Sequence, residues 1–181
     1  MEPLKYMKRF ESKTQNAHLI LFDDGKEYVV KMHKKSAKRI LVNEWLGYHL
    51  ARYMNLPIPL TTFIELPKDF IEQTPQLSTD VVITEKQLAT TYIDNTRNAH
   101  ELDVNNIVNK DQLAGIIVLD YWMANTDRTR KNVLFTEVDS DSHHLWAIDY
   151  GDSFGSFSWE KEDLKQLPKS VMKSATHELL A

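Results

Sequence analysis

The chain has 181 residues, of which 42% are hydrophobic and 27% charged, and its formal net charge is −4 at pH 7. These values indicate one folded domain or two small lobes with enough apolar material for a core, and they give no signal for bulk attraction to nucleic acid or to an anionic membrane. The sequence contains no cysteine, which excludes disulfides, thiolate zinc sites and a cysteine nucleophile.

Targeting signals are also missing from the pattern. Residues 1–9 are charged and lack the apolar stretch of a signal peptide, and no run approaches 18 apolar residues. Absence of cysteine is typical of a reducing compartment. We therefore expect a cytoplasmic protein with no membrane span.

The first predicted elements are strands joined by tight turns. Residues 4–10 alternate loosely, and residues 18–22 are apolar and β-prone. Asp23-Asp24-Gly25-Lys26 predicts a hairpin turn, because Asp-Gly supplies the positive φ values that such turns require. The return strand covers residues 27–32 and contains Lys31, which on this pattern alone would usually be a solvated edge charge.

A long helix is predicted over residues 36–55, with Ser36 as its N-cap. The side chains that form its apolar stripe are Leu41, Val42, Trp45, Leu46, His49, Leu50 and Tyr53. The side that carries Glu44 is also apolar or small, so we expect burial on more than one side. The residues alone leave Glu44 as a rim charge or as the partner of an inserted cation, and they favour the rim.

The middle of the chain is less regular. Leu56-Pro57-Ile58-Pro59 ends the helix. The predictions that follow are a strand over residues 60–66, a loop or short irregular segment over 67–79, a brief strand over 81–83, and a polar lobe boundary over 84–109 with a short helix at 103–108.

The second half begins with a predicted helix over residues 111–124, apolar around most of its circumference and therefore expected to be deeply buried. A polar loop and two strands, 133–135 and 145–148, come next, and the acidic turn between them lacks the spacing of a calcium loop. A polar helix from about residue 160 and a last helical segment ending at 181 complete the chain.

The spacing of three polar residues suggests phosphoryl transfer. Asn132 follows Asp127 by five residues, and Asp149 stands 17 residues later in an Asp-Tyr-Gly turn. Kinase-type enzymes use one Asp to orient the attacking hydroxyl, an Asn five residues on to reach a metal, and an Asp before a Gly turn to hold the metal on the phosphates. The sequence has no Walker lysine loop, serine nucleophile elbow or His-Glu-x-x-His motif.

Several motifs in the right order resemble those of the HipA-like kinases and of the related type II phosphatidylinositol 4-kinase-like group, whose catalytic loop reads Asn-Thr-Asp-Arg-x-x-x-Asn. The resemblance covers roughly residues 17–155. The motifs are Val29-Val30-Lys31, Asn43-Glu44, Leu56-Pro57-Ile58-Pro59, the segment from Asp120 to Asn132, and Ile148-Asp149-Tyr150-Gly151.

The resemblance implies an α+β, two-lobed protein-kinase-like fold. The N-lobe, residues 1–85, would hold an antiparallel sheet and the helix 36–55. The C-lobe, residues 86–181, would be small and mostly helical, with a catalytic loop at 125–132 and the Asp-x-Gly turn at 149–151.

The same resemblance implies roles for five residues, with ATP and Mg²⁺ as cofactors. Lys31 would contact the nucleotide phosphates, and Glu44 would pair with Lys31 and orient it. Asp127 would be the catalytic base, and Asn132 and Asp149 would be the Mg²⁺ ligands. Lysine is a point cation suited to phosphate, and Asp and Asn supply the hard oxygen ligands that Mg²⁺ prefers.

The loop differs from the family pattern in its charge. Many members have a histidine in the catalytic loop after Asp-Arg or Asp-x, whereas this chain reads Arg128-Thr129-Arg130-Lys131. The added charge either favours an acidic substrate or phosphate, or is simply exposed. For Arg128 we favour a structural pairing with Asp120 over phosphate contact, while Asn125 either caps or braces the loop or acts in the site. The segment expected to cover the phosphates, 12–16, contains no glycine.

Two functional hypotheses follow. The first is an ATP-dependent phosphotransferase that moves the γ-phosphate to a hydroxyl, with a protein serine or threonine as the favoured acceptor and lipids and small molecules as alternatives. The second is an inactive pseudokinase or a nucleotide-binding protein-interaction module. The complete set of Lys31, Asp127, Asn132 and Asp149 favours the enzyme.

Overall fold

A computed structural model describes residues 1–11, 16–33, 39–77, 86–101, 106–155, 158–166 and 174–180. The expected N-cap Ser36, the strand predicted at 81–83 and most of the 12–16 segment lie outside these ranges. The chain divides into two compact units, Met1–Leu41 with Leu60–Tyr92, and Val42–Pro59 with Ile93–Ala181. Antiparallel sheets and separate helices confirm the predicted α+β class.

The first unit is a five-stranded antiparallel sheet in the order β1-β2-β3-β5-β4. Its strands are β1 (Pro3–Arg9), β2 (Ala17–Phe22), β3 (Glu27–Lys31), β4 (Thr61–Ile64) and β5 (Gln87–Thr91). The predicted β2–β3 hairpin is confirmed, with Gly25 at a φ of 75° and its N–H donating to the Phe22 carbonyl at 3.0 Å. One face of the sheet packs on a core that includes Ile20, Phe22, Val30, Met32, Ile64 and Leu77.

Two segments of this unit differ from the predictions. Residues 67–79, expected to be irregular, contain α2 (Lys68–Glu72) and a 3₁₀ turn at Pro75–Leu77. Residues 84–109, expected to be a polar boundary, contain β5, which lies between β3 and β4. The strand was missed because the buried Gln87 looks polar in sequence, yet its Oε1 accepts the His33 N–H at 3.2 Å and so satisfies its polar group.

The second unit combines helices with a three-stranded antiparallel sheet in the order β6-β7-β8. Its elements are α1 (Ile40–Tyr53, from Val42 onward), β6 (Arg97–Asn98), α3 (Leu113–Trp122), β7 (Val133–Glu137), β8 (His143–Ala147) and α4 (Ala175–Leu180). Residues 103–105 of the helix expected at 103–108 are not described, and Ile107 forms an isolated bridge to His143. The polar helix expected from 160 is a 3₁₀ turn at Asp163–Gln166.

Helix α1 buries the side opposite to the predicted stripe. Val42, Trp45 and Tyr53 of that stripe are exposed. The buried positions are Ile40, Asn43, Glu44, Gly47, Tyr48 and Ala51. The expected burial of the side that carries Glu44 is therefore confirmed, and its small residues allow close packing. The stripe is only partly buried, through Leu46 and Leu50.

Helix α3 is buried on one side rather than deeply all round. Leu113, Ile116 and Leu119 lie in the core, whereas Val118 and Trp122 are 58% and 67% exposed. The prediction of all-round burial is therefore wrong. Apolar residues on an outer helix face occur in soluble proteins because there is too little polar surface to cover a small fold.

The two units group the residues differently from the predicted lobes, since most of α1 belongs with the second unit. The lobe boundaries at 1–85 and 86–181 stay a prediction. None of the helices in the described ranges has both the length and the apolar character that crossing a bilayer requires.

Gly47 lets α1 pack closely against Tyr150 of the Asp-x-Gly turn. A Cβ atom at this position would lie 2.3 Å from Cγ and 2.4 Å from Cβ of Tyr150, whose side chain is fully buried. Gly115 in α3 is a matched control, because a Cβ there would meet only the end of the Leu56 side chain, at 2.6 Å from Cδ2.

We expect Gly47→Ala to lower the free energy of unfolding by about 1–3 kcal/mol, the usual cost of overpacking a core. Gly115→Ala should stay within about 1 kcal/mol of the wild type, because Leu56 can rotate and alanine favours the helix. Urea unfolding followed by circular dichroism measures both. Equal stability of the two variants would contradict the close packing of Tyr150 on α1.

Candidate active site

The loop that carries Asp127 starts at a sharply defined helix end. After α3, the Ala124 N–H donates to the Tyr121 carbonyl at 3.1 Å and the Asn125 N–H donates to the Asp120 carbonyl at 2.8 Å. This pair of bonds forms a Schellman motif, with Ala124 at a φ of 49° in the position that usually holds glycine. The motif turns the chain out of the helix and into the loop.

Arg128 is the centre of the loop. It is 2% exposed, and its Nε and Nη2 donate to the two carboxylate oxygens of Asp120 at 2.9 and 3.1 Å. Its Nη1 donates to the carbonyls of Asn132, at 3.0 Å, and of Ile148. The predicted pairing with Asp120 is confirmed, and the guanidinium also links the loop to the end of β8.

The charges in this cluster are compensated internally. Burial is the largest single influence and lowers the pKa of Arg128, but the attraction and hydrogen bonding of Asp120, together with the charges of Tyr150 and Asp149, outweigh it and raise that pKa above its ordinary value. The guanidinium carbon lies 4.7 Å from the centre of the Tyr150 ring, and burial raises the pKa of the Tyr150 hydroxyl. Arg128 therefore stays charged and Tyr150 neutral, and Arg128 is committed to Asp120 rather than open to phosphate.

Asn125 braces the loop, which is one of the two roles expected for it. Its Nδ2 donates to Asp120 Oδ1 at 2.8 Å, and its Oδ1 accepts the Asp127 N–H at 3.2 Å. The Asp127 backbone is thus held to the same carboxylate that binds Arg128.

Asn132 is oriented by Asp127. Its Nδ2 donates to the Asp127 carbonyl at 2.6 Å and to Asp127 Oδ2 at 3.3 Å. With the amide nitrogen turned this way, Asn132 Oδ1 points away from Asp127 and makes no hydrogen bond with the described residues. That oxygen is available for a ligand such as a cation.

The β7–β8 pairing brings Asn132 and Asp149 to the same end of the sheet. Val133 and Ala147 are partners in the antiparallel ladder, and the Ile148 N–H donates to the Asn132 carbonyl at 3.1 Å. Asn132 stands just before β7 and Asp149 just after β8. Antiparallel pairing therefore explains how two residues 17 positions apart become neighbours.

Asp149 has an unusual backbone conformation. Its φ is 63°, in the left-handed region that residues other than glycine seldom adopt. The Tyr48 hydroxyl accepts its N–H at 3.2 Å, and its own Oδ1 accepts the Gly151 N–H at 3.2 Å. Strained conformations of this kind concentrate at functional sites. Sequence analysis did not identify Tyr48, whose only signal was its position one helical turn after Glu44.

Glu44 is fully buried, so the rim position favoured from the helical pattern is wrong. Its Oε2 accepts the Tyr150 N–H at 3.2 Å, which ties α1 to the Asp-x-Gly turn. The predicted pairing with Lys31 stays a prediction. Lys31 is the last residue of β3 in the first unit, half-buried, where its backbone pairs with Ala17 and Leu88.

The remaining basic residues of the loop lie at the surface. Arg130 donates from Nη2 to Glu178 Oε2 of α4 at 2.9 Å, and Lys131 is exposed. The Ala175 N–H also donates to the Arg128 carbonyl at 3.1 Å. The Arg130 side chain and the Arg128 carbonyl therefore both contact α4.

The comparison with solved structures shows the fold. The chain is similar to the crystal structure of CtkA, a proinflammatory kinase of Helicobacter pylori, with a TM-score of 0.60 and 14% sequence identity. The match covers 94% of this chain and 70% of that chain. The predicted kinase-like fold is thereby confirmed. No curated protein matches the sequence.

The comparison with protein families covers almost the entire chain. The model of the HipA-like kinase family matches residues 5–179. That range contains each of the site residues expected from the sequence, Lys31, Glu44, Asp127, Asn132 and Asp149. The chain therefore belongs to the HipA-like kinase family.

Proposed function

We propose that this HipA-like kinase is an ATP-dependent phosphotransferase that moves the γ-phosphate to a hydroxyl, with a protein serine or threonine as acceptor. The observation that carries the proposal is the placement of Asn132 and Asp149 at the adjoining ends of β7 and β8, with Asp127 hydrogen-bonded to Asn132. This grouping supplies the acceptor-orienting and metal-binding groups that phosphoryl transfer needs.

The side chains present fit Mg²⁺. Asn132 Oδ1 and the Asp149 carboxylate are hard oxygen donors, the type that Mg²⁺ takes. Within the described residues there is no group of three or more His, Asp or Glu that could hold a metal ion alone. A small protein contribution is typical of Mg²⁺, which completes its shell with waters and substrate phosphates. When bound, Mg²⁺ would neutralise charge on the phosphate oxygens.

The residues of the loop would then have distinct tasks. Asp127, whose backbone is braced by Asn125, would orient the acceptor hydroxyl and take its proton. Asn132 would bind the metal through Oδ1, because its Nδ2 is already hydrogen-bonded to Asp127. Lys31 would contact the nucleotide phosphates, and Glu44 would orient Lys31, as the family resemblance implies.

Nucleotide binding should depend on a divalent metal. Neither Asn132 nor Asp149 can neutralise the phosphate charge without one, and a carboxylate next to bare ATP would repel it. Calorimetry of ATP binding with Mg²⁺, and with EDTA in its place, tests this. We expect ATP to bind at least about tenfold more tightly with Mg²⁺ than with EDTA. This is the lower end of the affinity change seen when a metal site is disturbed. Equal ATP affinity with Mg²⁺ and with EDTA would show that Asn132 and Asp149 are not metal ligands.

Asp127→Asn and Asp149→Asn should have different effects. Asp127→Asn should reduce kcat by about 10²–10⁴-fold, the usual contribution of a general base, and leave nucleotide affinity almost unchanged. Asp149→Asn should weaken Mg-ATP binding itself, because a metal ligand also acts in the ground state. Thermal-shift titration with Mg-ATP, beside an assay of phosphate transfer to protein in a cell lysate, measures both effects.

Asp111→Asn is the matched control, because Asp111 is exposed and the variant makes the same Asp-to-Asn change away from the loop. Full activity of Asp127→Asn would rule out the mechanism proposed for that residue. If the wild type binds Mg-ATP without transferring phosphate, the alternative of a nucleotide-binding interaction module replaces the enzyme. If the wild type does neither, the proposed function is wrong.

A further inference from the structure

Asn43 of α1 is fully buried and holds the chain that follows Asp149. Its Nδ2 donates to the carbonyls of Gly151 and Ser153 at 2.8 and 3.0 Å. Its Oδ1 accepts the indole N–H of Trp159 at 2.8 Å. One amide side chain therefore contacts three separate points between residues 151 and 159.

The orientation of this amide follows from its partners. Carbonyl oxygens can only accept a hydrogen bond and an indole N–H can only donate one, so Nδ2 must face Gly151 and Ser153 and Oδ1 must face Trp159. No other side chain of this size offers two donors and an acceptor in that arrangement. An aspartate would place a carboxylate oxygen against two carbonyl oxygens.

Gly151 connects the Asn43 amide to Asp149, the proposed metal ligand in the Asp-x-Gly turn. Asn43 holds the Gly151 carbonyl, and the Gly151 N–H donates to Asp149 Oδ1 at 3.2 Å. A change in the orientation of Gly151 would move the donor that aims this carboxylate. Asp149 already has a positive φ, so its conformation must be maintained by surrounding contacts of this kind.

The Trp159 contact extends the same support along the chain. The Trp159 ring packs edge-on against Phe154, with 5.7 Å between ring centres, and the Phe154 N–H donates to the Met123 carbonyl at 2.6 Å. Trp159 therefore links Asn43 to Phe154, whose backbone is hydrogen-bonded to the C-terminal end of α3. Loss of the indole N–H would leave the Oδ1 of a buried amide without this donor, and buried polar groups are costly to leave unsatisfied.

We propose that Asn43 is a positioning residue that aims the Asp149 carboxylate at the metal through Gly151, with Trp159 fixing the amide. The inference rests on the proposed function, because it gives Asp149 the role of a metal ligand. Asn43 itself touches neither substrate nor metal. Its replacement should raise the Mg²⁺ concentration that the protein needs, while the pH dependence of kcat at saturating Mg²⁺ stays that of the wild type.

The first test is Asn43→Asp, with Asn109→Asp as its matched control. Asn109 is also a buried amide of the second unit; its Nδ2 donates to the Leu145 carbonyl at 3.1 Å and its Oδ1 accepts the Leu145 N–H at 2.9 Å, away from the Asp-x-Gly turn. The measurement is the Mg²⁺ concentration for half-maximal ATP binding and for half-maximal transfer. We expect an increase of about 10–100-fold for Asn43→Asp, the range seen when support of a metal ligand is lost, and little change for Asn109→Asp.

A second pair of variants covers the case in which Asn43→Asp fails to fold. Trp159→Phe removes the indole N–H together with part of the ring, and Trp146→Phe makes the same change at a site where the indole N–H donates to Thr136 Oγ1 at 3.0 Å. Trp159→Phe should raise the half-maximal Mg²⁺ concentration about threefold, as expected for one hydrogen bond of ordinary net strength, and Trp146→Phe should not.

The outcomes separate the inference from the function. If the wild type binds Mg-ATP and transfers phosphate while Trp159→Phe and Asn43→Asp need no more Mg²⁺ than their controls, the positioning role is overturned and the proposed function stands. If Asn43→Asp does not fold, the comparison of Trp159→Phe with Trp146→Phe decides. If the wild type shows no Mg²⁺-dependent binding, the proposed function fails, and the inference fails with it.

Discussion

The buried ion pair between Arg128 and Asp120 is the interaction on which the loop depends. A guanidinium withdrawn from water is tolerated only when its donors are matched, and removing one partner of such a pair typically costs about 3–5 kcal/mol. Here the donors reach Asp120 at the end of α3, the Asn132 carbonyl and the Ile148 carbonyl. The pair therefore joins a helix, the loop and the end of a strand, and few loop conformations other than the observed one could satisfy it.

The antiparallel ladder of β7 and β8 provides the second constraint. It places Asn132 and Asp149 at the same end of the sheet, because the two residues flank paired strand ends. The turn that holds Asp149 at a positive φ receives hydrogen bonds from α1: Tyr48 bonds to the Asp149 N–H, Glu44 to the Tyr150 N–H and Asn43 to the Gly151 carbonyl. The positions of the polar groups thus follow from sheet geometry, whereas their fine orientation follows from α1.

The features of the fold that sequence alone predicted are those encoded locally. The Asp-Gly turn before β3, the helix before Asp127 and the Arg128–Asp120 pair all depend on residues close in sequence or on a compact motif. β5 was missed because Gln87 reaches its partner His33 from 54 positions away. The rim position favoured for Glu44 was wrong for the same reason, since its partner, the Tyr150 N–H, lies 106 residues further along the chain.

The burial of Asn43 and Glu44 shows why hydrophobic periodicity fails at this helix. The two polar side chains are buried because backbone groups of residues 150–153 need partners there, and Gly47 leaves room for Tyr150 beside them. Asn43 and Glu44 are polar residues that a hydropathy pattern would place at the surface, whereas here their hydrogen bonds allow them to be buried. A helix that supports the Asp-x-Gly turn through hydrogen bonds therefore carries its polar residues inward and can leave large apolar ones, such as Tyr53, at the surface.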